Sequence, residues 1–468
     1  MLNSDVHLNL KDSDTIAAIA TPPGEGGISV IRISGRDAFS VADKVFVGKS
    51  SLSASPSHTA HFGKIVDAQG KYVDEVVAVT FKKPNSYTYE DVVEVSCHGG
   101  YIVTQKVLGM LLTAGARAAE PGEFTKRAFL NGRLDLSQAE AVGDLIHSKS
   151  EAAYRSSLRQ LSGELSKEIK VVKDELLNLA SLLELDLDFS EEDVAFANRK
   201  SLEERLIEAL GVTDRLLSSY SVGRVYKEGV KVTIAGKPNA GKSSLLNALL
   251  HEDRAIVSAV PGTTRDTISE SMEIDGIVFR LTDTAGLRET TDVIEQEGVN
   301  RAQKEAERGD ILLLVLDLSA QNYNGSDPLY AKLEQICGKS GISVIKVWNK
   351  LDIYRSGAPS GYEGGSAFYV SALSGEGIES LRTGLLKAVL ASNVGEASVV
   401  VTSARHRDAL SRARKSLEYA LDTLRSGKSG EFVALDLRAG LNALGEITGE
   451  ITSEDILNNI FSKFCIGK

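Results

Sequence analysis

The stretch VKVTIAGKPNAGKSSLLNALL (230–250) decides how this chain folds. Its opening run reads as a buried strand and its closing run as a helix. Between them GKPNAGKSS (236–244) fits G-x-x-x-x-G-K-S in the strand, loop and helix context that the motif needs. In such a loop, here Asn239, Ala240, Gly241 and Ser244 around the key pair, backbone N–H groups wrap phosphate oxygens at a helix N-terminus. Lys242 reaches the terminal phosphates, and the Ser243 hydroxyl binds Mg2+. Alone, the motif says only that a nucleoside triphosphate is bound.

Further motifs follow in order, each placed at a strand end or between strands. GTTRD (262–266) supplies Thr264 as the second hydroxyl ligand to Mg2+ in a switch loop. DTAG (283–286) ends the strand IVFRLTD: Asp283 holds the water shell of Mg2+, and Gly286, after Thr284 and Ala285, offers its N–H to the γ-phosphate. NKLD (349–352) brings Asn349, Lys350 and Asp352, whose carboxylate accepts two hydrogen bonds from guanine that adenine cannot offer. SAL (371–373) closes over guanine O6 through the backbone at Ser371 and Ala372. The set predicts a GTP site. Leu287 follows DTAG where Ras-like proteins carry a glutamine that orients water. Hydrolysis must therefore draw on another group: Arg265 or Arg288, or a monovalent cation held by Asn239.

Outward from this core the texture changes twice. GIVFRLTD, ILLLVLD and ISVIKVWN alternate with helical patterns, as a parallel sheet covered by helices requires. This predicts an α/β P-loop GTPase domain over 229–399. Before it, TIAAIA, GGISVIRIS, EVVAVTF and DVVEVSCHGG predict an α+β domain over 1–120, with YIVTQKVLGMLLTAG as its clearest helix. Leu158, Leu161, Leu165, Ile169, Val172, Leu176, Leu179 and Leu183 predict one long helix. Leu202, Leu206, Leu210 and Leu217 predict a second, and Leu410, Ala413, Leu417, Leu421 and Leu424 a third. The simplest reading is a multidomain chain in which the GTPase is inserted into a helical bundle formed by 121–228 and 400–468.

Composition narrows the class. The 468 residues carry 53 basic and 64 acidic side chains, a net charge of −11, so any RNA contact must be local. The three cysteines, Cys97, Cys337 and Cys465, are too scattered for a disulfide framework or a cysteine zinc site. The start MLNSDVHLNLKDSD is not a signal peptide, and no run is apolar enough to span a membrane, so a soluble cytoplasmic protein is expected.

The motif set resembles the translation-factor-related GTPases. Across nearly the whole length, DTIAAIATPPGEGGISVIRISG (14–35), PNSYTYEDVVEVSCHGG (84–100), PGEFTKRAFLNGRLDLSQAEAVGDLI (121–146) and the terminal Cys-Ile-Gly-Lys are similar to the MnmE (TrmE) family of tRNA-modification GTPases. The resemblance implies a homodimer that works with tRNA and with FAD-containing MnmG in a heterotetramer. The pair adds an aminomethyl or carboxymethylaminomethyl group to C5 of wobble uridine. It further implies K+-dependent pairing of G domains, with Asn239, Ser258, Val260 and Thr263 as K+ ligands and Glu295 positioning water. A tetrahydrofolate derivative (5-formyl or 5,10-methylene) would be held by Arg32, Glu94, Arg133 and Lys468; Arg133 stands where some relatives carry lysine. On the residues alone, Arg32 and Glu94 read first as a cross-strand ion pair on a wet face, and Glu295 as a solvated helix charge.

Two other classes are weighed against this one. A regulatory RNA-binding GTPase of the ribosome-assembly type would carry a separate basic module, whereas the C-terminal segment here has mixed charge. A folate enzyme with a degenerate GTPase conflicts with the intact nucleotide motifs. The terminal run FSKFCIGK (461–468) follows a helix start at Ser453, Glu454 and Asp455, with Ile456, Leu457, Ile460, Phe461 and Phe464 as its apolar face. Cys465 is thus a candidate catalytic thiol, acting on the uracil ring or supporting the site; the bland alternative is an inert half-buried thiol.

Overall fold

A computed structural model describes residues 14–188, 198–250, 269–283, 309–319, 328–353, 367–390 and 399–468. The chain forms two compact units: Met1–Gly143 with Gln160–Leu206 and Lys415–Lys468, and Asp144–Arg159 with Ile207–Arg414.

The first unit is built on a seven-stranded sheet: β1 (Ile16–Ile19), β2 (Ile28–Ser34), β3 (Phe46–Gly48), β4 (Thr59–Val66), β5 (Tyr72–Phe81), β6 (Val92–His98) and β7 (Arg117–Ala118). Their spatial order is β3-β4-β5-β6-β2-β1-β7, antiparallel except where β7 joins β1. Side chains alternate between the faces. Ala17, Ile31, Ile33, Val93, Val95 and Cys97 point into a core with the helices Ala38–Asp43 and Tyr101–Thr113, while Ile16 and Ala18 meet Phe124 and Ala119 in a second cluster. The four strands and the helix expected from the sequence are all present. β3, β4 and β7 were not legible, because β4 (TAHFGKIV) buries only Gly63 and Ile65, and β3 and β7 hold only three and two residues.

The leucine ladder proves to be two helices. Glu151–Leu161 ends before Gly163, whose φ of +82° turns the chain, and Glu164–Asp188 begins immediately after. Leu158 on the first is 45 % exposed, whereas Leu165, Ile169, Val172, Leu176, Leu179 and Leu183 are buried. Sequence periodicity cannot detect the break, since a single glycine costs a helix only about 1 kcal/mol and carries no period of its own. Arg199–Glu228 is the second long helix, but its buried face runs through Leu202, Leu206, Ala209, Thr213 and Leu216; Leu210 and Leu217 are only half-buried. The third, Ala404–Arg425, buries all five residues expected of it. At Gly440 on Gly430–Thr448 a β-carbon would touch Leu176 and Leu417 at 3.7 and 3.6 Å, so three helices meet closely there.

In the second unit lie β8 (Val230–Gly236), β9 (Ser269–Ile274), β10 (Ile277–Asp283), β11 (Ile311–Asp317), β12 (Ser343–Asn349) and β13 (Ala367–Tyr369), ordered β13-β12-β11-β8-β10-β9. All pairs are parallel except the β9–β10 hairpin. Both faces are covered: along β11, Ile311, Leu313 and Val315 enter one core while Leu312, Leu314 and Leu316 enter another. The chain crosses from one side of β8 to the other between β10 and β11. Open α/β sheets bind ligands at the carboxyl ends of strands at such a reversal.

Candidate functional site

The phosphate loop leaves the carboxyl end of β8 and enters the helix Lys242–Leu250. Lys242, 8 % exposed, folds back on the loop, its Nζ donating to the carbonyls of Gly236 at 3.0 Å and Lys237 at 2.8 Å. Burial holds its pKa below the ordinary lysine value, and the charge of Asp283 opposes that only in part. Ser243 Oγ donates to Asp283 Oδ2 at 2.9 Å. This hydroxyl and carboxylate, exposed and adjacent, are the hard oxygen donors that suit Mg2+ and its waters.

Asn349 joins this loop to the base-side loops. Its Nδ2 donates to the Ala240 carbonyl at 3.0 Å, and its Oδ1 accepts from the Ala372 N–H at 3.0 Å. Buried at 2 % exposure, it holds three motifs in one register. Asp352 is exposed and accepts from Ser371 Oγ at 2.6 Å, which fixes its carboxylate beside the SAL turn. Lys350, at φ +72°, donates to Asp317 Oδ2 at 2.6 Å. Burial alone would raise the Asp317 carboxyl, but its bonds from Lys350 and Ser319 outweigh that and hold it low. Asn239 is exposed at φ +64°. Ser258, Val260, Thr263, Thr264, Arg265, Thr284, Ala285, Gly286, Leu287, Arg288 and Glu295 lie outside the described residues.

In the first unit a second group of residues converges. Arg32 on β2 and Glu94 on β6 are register partners, and Arg32 Nε donates to Glu94 Oε1 at 2.8 Å. The cross-strand pair expected on residue grounds is therefore real, but it is not on a wet face: the side chains are 15 % and 26 % exposed. The Arg32 guanidinium lies 5.0 Å from the centre of the Tyr87 ring, with Arg133 at 4.8 Å from the same ring and donating to the Tyr87 carbonyl at 2.9 Å. Tyr87 thus links Arg32 and Arg133, two residues that the family resemblance groups and that lie about a hundred positions apart in the chain. Its only signal was the run PNSYTYED, in which nothing distinguishes one tyrosine from the next.

The C-terminal tail reaches the same place. Helix Glu454–Phe461 is capped by Ser453 and buries Leu457 and Phe461 with Leu136 and Ala139. Beyond it the Gly122 N–H donates to the Cys465 carbonyl at 3.4 Å, and Arg32 Nη1 donates to the Gly467 carbonyl at 3.5 Å. Gly467, at φ +95°, is buried against Ile19 of β1, where a β-carbon would lie 2.2 Å from the Ile19 carbonyl oxygen. Lys468 follows at once. Cys465 is exposed, unlike Cys97 and Cys337, whose thiols burial pushes up. It is not the half-buried thiol of the bland reading.

A basic and aromatic wall (Arg32, Arg133, Tyr87) beside one carboxylate suits a ligand with a flat heteroaromatic ring and carboxylates, as a folate has. Below it an ion network ties the sheet to the helix Glu123–Leu130. Arg127 donates to Asp14, Glu90 and Glu123, and Arg117 donates to Asp14 and Glu123. Among the described residues no helix is long and apolar enough to cross a membrane.

The sheet order and the phosphate loop at its reversal define a P-loop GTPase, carried here on a multidomain α/β and helical chain. The family model described as the MnmE helical domain matches residues 136–465, and that described as the GTP-binding protein TrmE N-terminus matches residues 15–133. Similar relatives named tRNA modification GTPase MnmE include those of Cytophaga hutchinsonii (45 % identical, covering 97 % of this chain and 98 % of that one) and Salinibacter ruber (47 %, covering 98 % and 100 %). The protein of Chlorobium luteolum is 46 % identical over 97 % of each chain. The chain belongs to the MnmE family of tRNA modification GTPases, enzymes that hydrolyse GTP.

Proposed function

We propose that this GTPase acts on tRNA with an FAD-containing MnmG partner, adding an aminomethyl or carboxymethylaminomethyl group to C5 of wobble uridine. The observation that carries the proposal is the seating of the tail: Arg32, paired with Glu94, also donates to the Gly467 carbonyl, which supports reading Cys465 and Lys468, two residues before and one after, with that pair. A tetrahydrofolate held there would supply the one-carbon unit. Glu94 would accept from its aminopyrimidine edge, while Arg32, Arg133 and Lys468 would meet its ring and carboxylates. Cys465 would be the thiol that acts on the uracil ring.

At the nucleotide loop Ser243 and Thr264 would hold Mg2+, which neutralises phosphate charge. Asn239 with Ser258, Val260 and Thr263 would hold K+, which supplies positive charge where an arginine finger would otherwise act, and Glu295 would position water. The chain would work as a homodimer, with an N-terminal part over 1–120, a helical part over 121–228 and 400–468, and a GTPase over 229–399.

The test is mass spectrometry of wobble uridine from cells lacking the protein, complemented with intact protein or with Cys465→Ser. Loss of modification in the deletion strain and with Cys465→Ser, with GTP hydrolysis retained in the latter, supports the proposal. Full modification in the deletion strain overturns it. GTP turnover in matched KCl and NaCl tests the cation: equal rates discard K+.

A further inference from the structure

We infer that Tyr330 is a positioning residue for the phosphate loop. The β8–β11 ladder ends at the pair Gly236 and Val315, where the chain must leave the sheet to form the loop. The next donor is the N–H of Lys237, just beyond the end of β8. The Tyr330 phenol stands beside it: its oxygen accepts from the Lys237 N–H at 3.3 Å, and its own hydrogen goes to the Val315 carbonyl at 3.3 Å. One hydroxyl thus bridges the root of the loop to β11, using both its donor and its acceptor capacity.

What it holds matters for nucleotide binding. The Lys237 N–H and the Gly236 carbonyl belong to one planar peptide unit, so fixing one orients the other. That carbonyl is one of the two to which Lys242 Nζ is tethered, at 3.0 Å. Tyr330 therefore sets where the root of the loop lies and where Lys242 rests before phosphate arrives. The residue is 6 % exposed and packs with Leu333 and Cys337 of its own helix, Pro328–Ser340, against β11, so its ring is held independently of the hydroxyl. Nothing in G-x-x-x-x-G-K-S points to it, because Tyr330 comes from a helix and lies 93 residues beyond Lys237.

The inference rests on reading 236–243 as the phosphate loop. The experiment compares intact chain, Tyr330→Phe and Leu333→Val in titrations with the fluorescent nucleotide mant-GDP and in steady-state GTP hydrolysis. Tyr330→Phe keeps the ring and deletes the bridge, so the Kd for mant-GDP and the KM for GTP should rise together by about three- to tenfold, the equivalent of one buried hydrogen bond. Leu333→Val loosens the same packing without touching the loop, and should lower the melting temperature while leaving Kd within about twofold. Equal Kd for intact chain and Tyr330→Phe overturns the inference, as does an equal rise in both variants. A fall in kcat at unchanged KM also overturns it. Failure of the intact chain to bind mant-GDP would instead overturn the phosphate-loop reading itself.

Discussion

Replacing Gly467 by alanine should disconnect the tail from the sheet while leaving the nucleotide site untouched. The added β-carbon would lie 2.2 Å from the Ile19 carbonyl oxygen and 2.9 Å from the Ala20 Cα. Relaxing these contacts to about 3.5 Å requires the tail to retreat by roughly 1 Å. The φ of +95° adds strain of about 1 kcal/mol for any residue with a β-carbon. Retreat also breaks the bond from Arg32 to the Gly467 carbonyl, already long at 3.5 Å, for about another 1–2 kcal/mol. The sum is about 2–3 kcal/mol, enough to lower the seated fraction relative to the released one by roughly 30- to 150-fold. Hydrogen exchange of the 465–468 amides reads the release directly, and calorimetry with 5-formyltetrahydrofolate reads its consequence at the proposed pocket. Gly70→Ala is the control, since Gly70 also has positive φ (+76°) but open space around it. Unchanged exchange at 465–468 in Gly467→Ala would refute the claim that this close approach seats the tail.

Asp352→Asn should lower affinity for GTP by about 100-fold and move preference toward xanthosine triphosphate, because an amide in place of the carboxylate reverses the donor and acceptor pattern facing the base. Competition between the two nucleotides measures it, and unchanged GTP affinity refutes the assignment. Nucleotide binding should take up protons at pH below the ordinary lysine value of 10.5, because burial depresses Lys242 in the free loop and bound phosphate would restore its charge. Affinity should then fall as pH rises through the depressed value; calorimetry in buffers of different ionisation enthalpy reads the uptake, and none at any pH discards the argument. In the first unit, burial alone would raise the carboxyls of Asp14 and Glu123, but bonds from Arg117 and Arg127 outweigh it and hold both below 3.8 and 4.5. Their stabilisation is complete above those ordinary values and is lost as pH falls through the lower folded ones. Arg127→Met should cost about 1–3 kcal/mol, because it removes one of the two arginines these acids share and leaves them only Arg117, read as faster hydrogen exchange in β1 and β7.

The sequence by itself determined the class of the GTPase domain, because each nucleotide motif is a contiguous run whose chemistry is local: a loop, a strand end and a few side chains. It also determined the strands β2, β5 and β6 and the cap at Ser453, each written in alternation or in adjacent residues. The break at Gly163 escaped it, because the leucine spacing continues across a residue whose role is set by φ. The tertiary structure alone decided that Tyr87 lies between Arg32 and Arg133, that Tyr330 braces the root of the phosphate loop, and that the tail lies on β1. Arg32 and Gly467 are 435 residues apart, and no local pattern encodes such a meeting. It follows from the way Leu136, Ala139, Leu457 and Phe461 bury one another, and from a terminal glycine with no side chain to hold the backbone away from Ile19.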